Sequence, residues 1–84
     1  MKKKIDLEFM KIVFKDSINF KKKLTLNSTF EKVPEWDSLG HMKIIAILEK
    51  KLKVNFEIEE IVGVNNVKKL IKLAQKKLNV KVTR

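Results

Sequence analysis

Asp37, Ser38 and His41 bring a carboxylate, a hydroxyl and the only imidazole of the chain into one short stretch, Glu35-Trp36-Asp37-Ser38-Leu39-Gly40-His41-Met42. These are the side-chain types of an acyl-transferring triad, in which an imidazole activates the hydroxyl and an acid orients the imidazole. On a helix, Ser38 and His41 at i, i+3 share a face. A self-sufficient hydrolase is nevertheless a poor fit. The acid must hold the imidazole from its far side, and an aspartate next to the serine is awkwardly placed for that. A chain of 84 residues has little interior with which to enclose an acyl substrate. His41 reads instead as a partly exposed helix residue. A lone histidine and no cysteine leave no usual ligand set for a metal, no disulfide and no thiolate nucleophile. Thiol chemistry here requires a cofactor that brings the sulfur.

On any reading the stretch starts a helix. Asp37 or Ser38 is its N-cap, satisfying backbone N–H groups at about 1 kcal/mol. From Ser38 to Lys53, Leu39, Met42, Ile45, Ala46 and Leu52 keep helical spacing, and Ile44, Ile47 and Leu48 widen the apolar stripe. Upstream, Ile5, Phe9, Ile12 and Val13 predict a first helix to about Ser17. Residues 19–35 show no sustained period and read as a long loop, which Leu24, Leu26, Phe30 and Val33 pin to the core. Trp36 is expected to anchor that loop on the bundle, and Pro34 to stiffen the approach to the serine. A short helix over 57–61 ends at Gly63. Asn66 then caps a last helix whose Val67, Leu70, Ile71, Ala74 and Leu78 fall on one stripe. Residues 79–83 are read as a tail with weak alternation. The expected fold is all-α: a small four-helix bundle with a long loop between helices one and two, a short third helix, and one domain over 1–84.

The basic opening Met1-Lys2-Lys3-Lys4 resembles the start of a signal peptide, but Asp6, Glu8 and Lys11 interrupt the apolar run that should follow. The chain reads as cytoplasmic. Its longest apolar run, Ile44 to Leu48, is far short of the roughly 20 residues that cross a bilayer. The net charge of +10 is of the kind that suits nucleic acid or an anionic surface. Arg84 is the only arginine, however, and phosphate and base recognition favour the bidentate guanidinium. The lysines read rather as solvated faces.

Asp37-Ser38-Leu39, preceded by Trp36 and opening an apolar helix, resembles the phosphopantetheine attachment motif of acyl carrier proteins, the family that includes peptidyl carrier domains. The three residues alone are a weak signal. The likeness extends over nearly the whole chain, through Glu49 after the apolar run, Val54-Asn55-Phe56-Glu57, the short third helix ending near Val62, and a last helix with Val67, Leu70 and Ile71. It implies a non-enzymatic carrier of an acyl or aminoacyl group, held as a thioester on a 4′-phosphopantetheine arm that a phosphopantetheinyl transferase moves from coenzyme A to Ser38. Asp37 would assist that modification. Leu39 and Met42 would meet the transferase and the acyl-loading and acyl-transfer enzymes, with Lys43, Lys50, Ile61 and Val62 completing the partner surface. A monomer is expected.

The chain departs from the family in charge. Carriers of this family are usually acidic and offer carboxylates from helix two, where this sequence has Lys43, Lys50, Lys51 and Lys53 beside Glu49. Its enzymes would then carry acidic docking patches, as in a specialised pathway. Two other readings are a basic helical nucleic-acid-binding domain and an unmodified carrier-like interaction module.

Overall fold

In the computed structural model, which describes residues 4–83, the chain enters its first helix through Asp6. Met1 to Lys3 of the basic opening lie outside the described residues, as does Arg84. Asp6 is extended and its carboxylate accepts from the Phe9 N–H at 3.0 Å, capping α1, Leu7–Ile18. Ile5, expected inside this helix, precedes it, and its side chain is nonetheless buried. Three helices follow: α2, Ser38–Leu52; α3, Ile58–Val62; and α4, Val67–Thr83. The described residues contain no strand beyond an isolated bridge between Thr29 and Asn66.

Each helix has one face in a shared core. Met10, Val13 and Phe14 enter it from α1, Ile44, Ile45, Leu48 and Leu52 from α2, and Val67, Leu70, Ala74 and Leu78 from α4. Trp36 is fully buried, edge-on to Phe14 with ring centroids 5.1 Å apart. It anchors the end of the long loop as expected. The loop itself is ordered largely by backbone bonding. A helix begins with N–H groups that have no partner within it, and two of those on α4, of Val67 and Lys68, donate to the carbonyls of Ser28 and Leu26 at 3.0 and 3.2 Å. The Phe30 N–H donates to the Asn65 carbonyl at 2.8 Å. Leu24 and Val33 are buried as expected, but the Leu26 side chain is exposed and only its carbonyl holds the loop.

Two helix ends differ from expectation. Residues 79–83 are not a tail, because α4 continues to Thr83. The alternation there carries β-branched residues, but these lower helix propensity by only tenths of a kcal/mol. Leu78 remains buried, and Gln75 Nε2–H donates to Asn79 Oδ1 at 3.0 Å across one turn. Gly63 does close α3, but in right-handed conformation, with φ −85°. The left-handed caps are instead Asn19 and Lys53, with φ 57° and 56°; for a side chain such as lysine that conformation costs about 1 kcal/mol.

Candidate functional site

Asp37 is the N-cap of α2: its carboxylate accepts from the Gly40 N–H at 2.8 Å and its carbonyl from the His41 N–H at 2.7 Å. Ser38 is therefore the first helical residue, and it is exposed. Gly40 makes this start possible. A Cβ there would collide with the Glu35 carbonyl and press on Ile18 of α1, so the approach to Ser38 can fold tightly against the helix only where the side chain is absent. The site thus combines an exposed hydroxyl with the positive end of a 15-residue helix, a place that favours a negatively charged substituent.

His41 is not the partly exposed residue the sequence suggests. It is buried, and both ring nitrogens are occupied. The Trp36 Nε1–H donates to His41 Nδ1 at 2.8 Å, and His41 Nε2 lies 3.0 Å from the Ile61 carbonyl. An indole N–H can only donate, so Nδ1 must be the bare nitrogen and Nε2 must carry the hydrogen given to Ile61. No lone pair remains to take a proton from Ser38, and the Asp37 carboxylate is turned to the backbone. The triad types are present, but the triad is not assembled. Phe30 completes the cluster, with ring centroids 5.9 Å from His41 and 5.8 Å from Trp36.

Beside Ser38 an open hollow of about 360 Å³ separates α2 from α3. Ser38, His41 and Met42 form one wall, Ile61 and Val62 the other, and Phe30, Val64 and Asn65 close its end. A second hollow, of about 490 Å³, lies along the long loop among Lys22, Lys23 and Lys32 and does not adjoin Ser38.

The residues expected at a partner surface divide. Leu39 and Met42 are 66% and 48% exposed, and Val62 is 75% exposed. Lys43 and Lys50 are also exposed. Ile61 is not: its side chain is buried and its carbonyl holds His41, so it serves the interior of the groove rather than an outer contact. Ile58, not expected at the partner surface, is 67% exposed. Its spacing to Val62, i and i+4 on a helix whose Ile61 turns inward, was the available signal. Glu49 is already engaged, its carboxylate accepting from the Phe56 N–H at 2.9 Å to hold the chain leaving α2. The outer face of α2 is left with lysines.

α3 is held by two adjacent residues. Ile61 anchors it in the core, and Glu60 pairs with Lys77 of α4 at 2.9 Å. The Lys77 ammonium and the Glu57 backbone N–H hold the Glu60 carboxyl below the usual carboxylate range.

No family model matches the chain, and no curated protein does either. Among solved structures, it is similar to a holo acyl carrier protein from Geobacter metallireducens, with a TM-score of 0.83 and 30% identity over 93% of this chain and 91% of that one. The all-helical fold is therefore acyl-carrier-protein-like, the fold of a carrier rather than of an enzyme. Among the described residues, no helix is long and apolar enough to cross a membrane, and no group of His, Cys, Asp and Glu could hold a metal ion.

Proposed function

We propose that this chain belongs to the acyl carrier proteins and carries an acyl group on a phosphopantetheine arm attached to Ser38. One observation carries the reading: within an acyl-carrier-like fold, the exposed Ser38 hydroxyl stands at the N-terminus of α2, on the edge of an apolar groove. The residues suit the group. Ser38 has no base beside it and needs none if a separate transferase supplies one. In that transfer the serine oxygen bonds to phosphorus, adenosine bisphosphate leaves with the electron pair, and the transferase's base takes the proton. The phosphodiester on Ser38 would then lie beside the N–H groups opening α2, an interaction worth roughly 0.3 to 1 kcal/mol. When bound, the arm supplies the terminal thiol that this cysteine-free chain lacks, and with it a thioester.

Leu39 and Met42, with Ile58 and Val62 across the groove, provide the exposed apolar surface for the transferase and the acyl-handling enzymes. Lys43 and Lys50 make the same side of α2 basic, which favours enzymes with acidic docking patches. The test is intact mass after incubation with a phosphopantetheinyl transferase and coenzyme A: the reading expects a single phosphopantetheinyl addition. An unchanged mass with several such transferases would favour an unmodified interaction module.

A further inference from the structure

We propose that the outward face of α4 is a docking surface for anionic lipid bilayers, on which the chain rests through Lys68, Lys69, Lys72 and Lys76; nothing in this depends on the carrier reading. Between Val67 and Thr83 there is no acidic residue. With about 3.6 residues per turn, the four lysines fall within an arc of about 100°, opposite the buried Val67, Leu70, Ala74 and Leu78. All four are exposed, and none forms an ion pair among the described residues. Lys76 lies within electrostatic reach of Glu60, but that carboxylate is already held by Lys77 at 2.9 Å. From Lys68 to Lys76 the charged row is about 12 Å long. An exposed apolar residue adjoins each of its ends. Leu26, 45% exposed, sits at the start, its carbonyl accepting from the Lys68 N–H at 3.2 Å, and Val80, 50% exposed, follows Lys76 by one turn. Cations flanked by aliphatic side chains suit a headgroup layer, whose phosphates attract the ammonium groups and whose acyl boundary accepts the apolar ones. Lysine is a compact, strongly hydrated point charge with no bidentate geometry to satisfy. The row therefore responds to charge density rather than to a fixed register, and a fluid anionic bilayer offers density without register. Nucleic acid is less well matched: α4 has no arginine, and among the described residues no aromatic side chain is exposed for base stacking.

The experiment sediments the full chain with vesicles of phosphatidylglycerol and phosphatidylcholine in equal parts, and with vesicles of phosphatidylcholine alone. Binding is expected only to the first, weakening as salt rises past about 0.1 M, where the screening length is about 10 Å. One lysine near an anionic membrane surface is worth about fivefold in partitioning, so Lys69→Gln/Lys72→Gln should weaken binding by on the order of twenty-fivefold. Lys43→Gln/Lys50→Gln on α2 removes the same net charge and should weaken it far less. Glutamine and lysine have similar helix propensities, and circular dichroism checks that both variants are folded. No binding of the wild type to the anionic vesicles at low salt overturns the proposal. Equal losses in the two variants overturn it too, since they mark attraction by net charge alone. A duplex DNA titrated in the same buffer gives the remaining arm: if Lys69→Gln/Lys72→Gln weakens binding to the duplex and leaves vesicle binding untouched, the face is a nucleic-acid surface and the lipid assignment is wrong.

Discussion

Ser38 has an aspartate before it and a histidine one turn later, yet both are committed elsewhere: Asp37 to the Gly40 N–H and His41 to Trp36 and Ile61. On the carrier reading proposed above, the serine accepts a group brought by another protein. Its neighbours Leu39 and Trp36 have opposite jobs, because the first is 66% exposed and the second fully buried. Leu39→Ala is expected to cost less than about 0.5 kcal/mol of stability, as surface substitutions do, while slowing modification of Ser38. Trp36→Ala should cost about 3 to 5 kcal/mol, since it removes a packed ring and leaves His41 Nδ1 without its donor. Thermal melts and transferase progress curves on both variants check this division. A reversed ranking contradicts it. At this scale the helix start at Ser38 and its Asp37 cap are legible in the sequence, because capping depends on residues within one turn. The state of His41 is not, because its partner Ile61 lies twenty positions away and only the fold brings the two together.

Among the elements, α3 is the one whose position depends on contacts outside itself. Five residues are too few to form a stable helix alone. It is held by the buried Ile61, by the His41 bond to the Ile61 carbonyl and by the Glu60–Lys77 pair. Since Lys77 keeps the Glu60 carboxyl below its ordinary range, the pair's contribution is present above that range and is lost as pH falls through the lowered value. Lys77→Met should therefore lower the melting temperature at about pH 7 by more than it does in acid, once the pH has fallen through the lowered Glu60 value and the carboxyl is protonated in both proteins. Melts across that interval test it, and a constant difference would contradict the assigned role. The helices were readable because apolar residues recur at helical spacing in α1, α2 and α4, although the stripe expected for α1 was misplaced: Ile12 is 51% exposed, and Met10 and Phe14 fill the core with Val13 instead. The extent of α4 was not readable, since Val80 and its neighbours obey the alternation of a strand while the chain simply continues the helix on which Leu78 is buried. The order of the long loop was anticipated from Leu24 and Val33, whereas the bonds from its carbonyls to the start of α4 leave no trace in residue type.

At the scale of the whole molecule, the net charge of +10 meets an acyl-carrier-like fold whose α2 has its one carboxylate, Glu49, turned to the Phe56 N–H. Lys43 and Lys50 lie two turns apart on one exposed side of that helix. If that side docks acidic enzymes, Lys43→Glu/Lys50→Glu should slow loading by the cognate enzyme at low salt. The difference should fade above about 0.1 M, where the screening length is about 10 Å. Equal loading at low salt would mark the lysines as solvated surface. The carrier claim is tested most directly by placing wild type and Ser38→Ala side by side with a phosphopantetheinyl transferase and coenzyme A, and reading intact mass and circular dichroism. One phosphopantetheinyl addition is expected on the wild type and none on the variant, with the helical spectrum retained because Asp37 still caps α2. An addition to the Ser38→Ala protein would contradict the carrier claim.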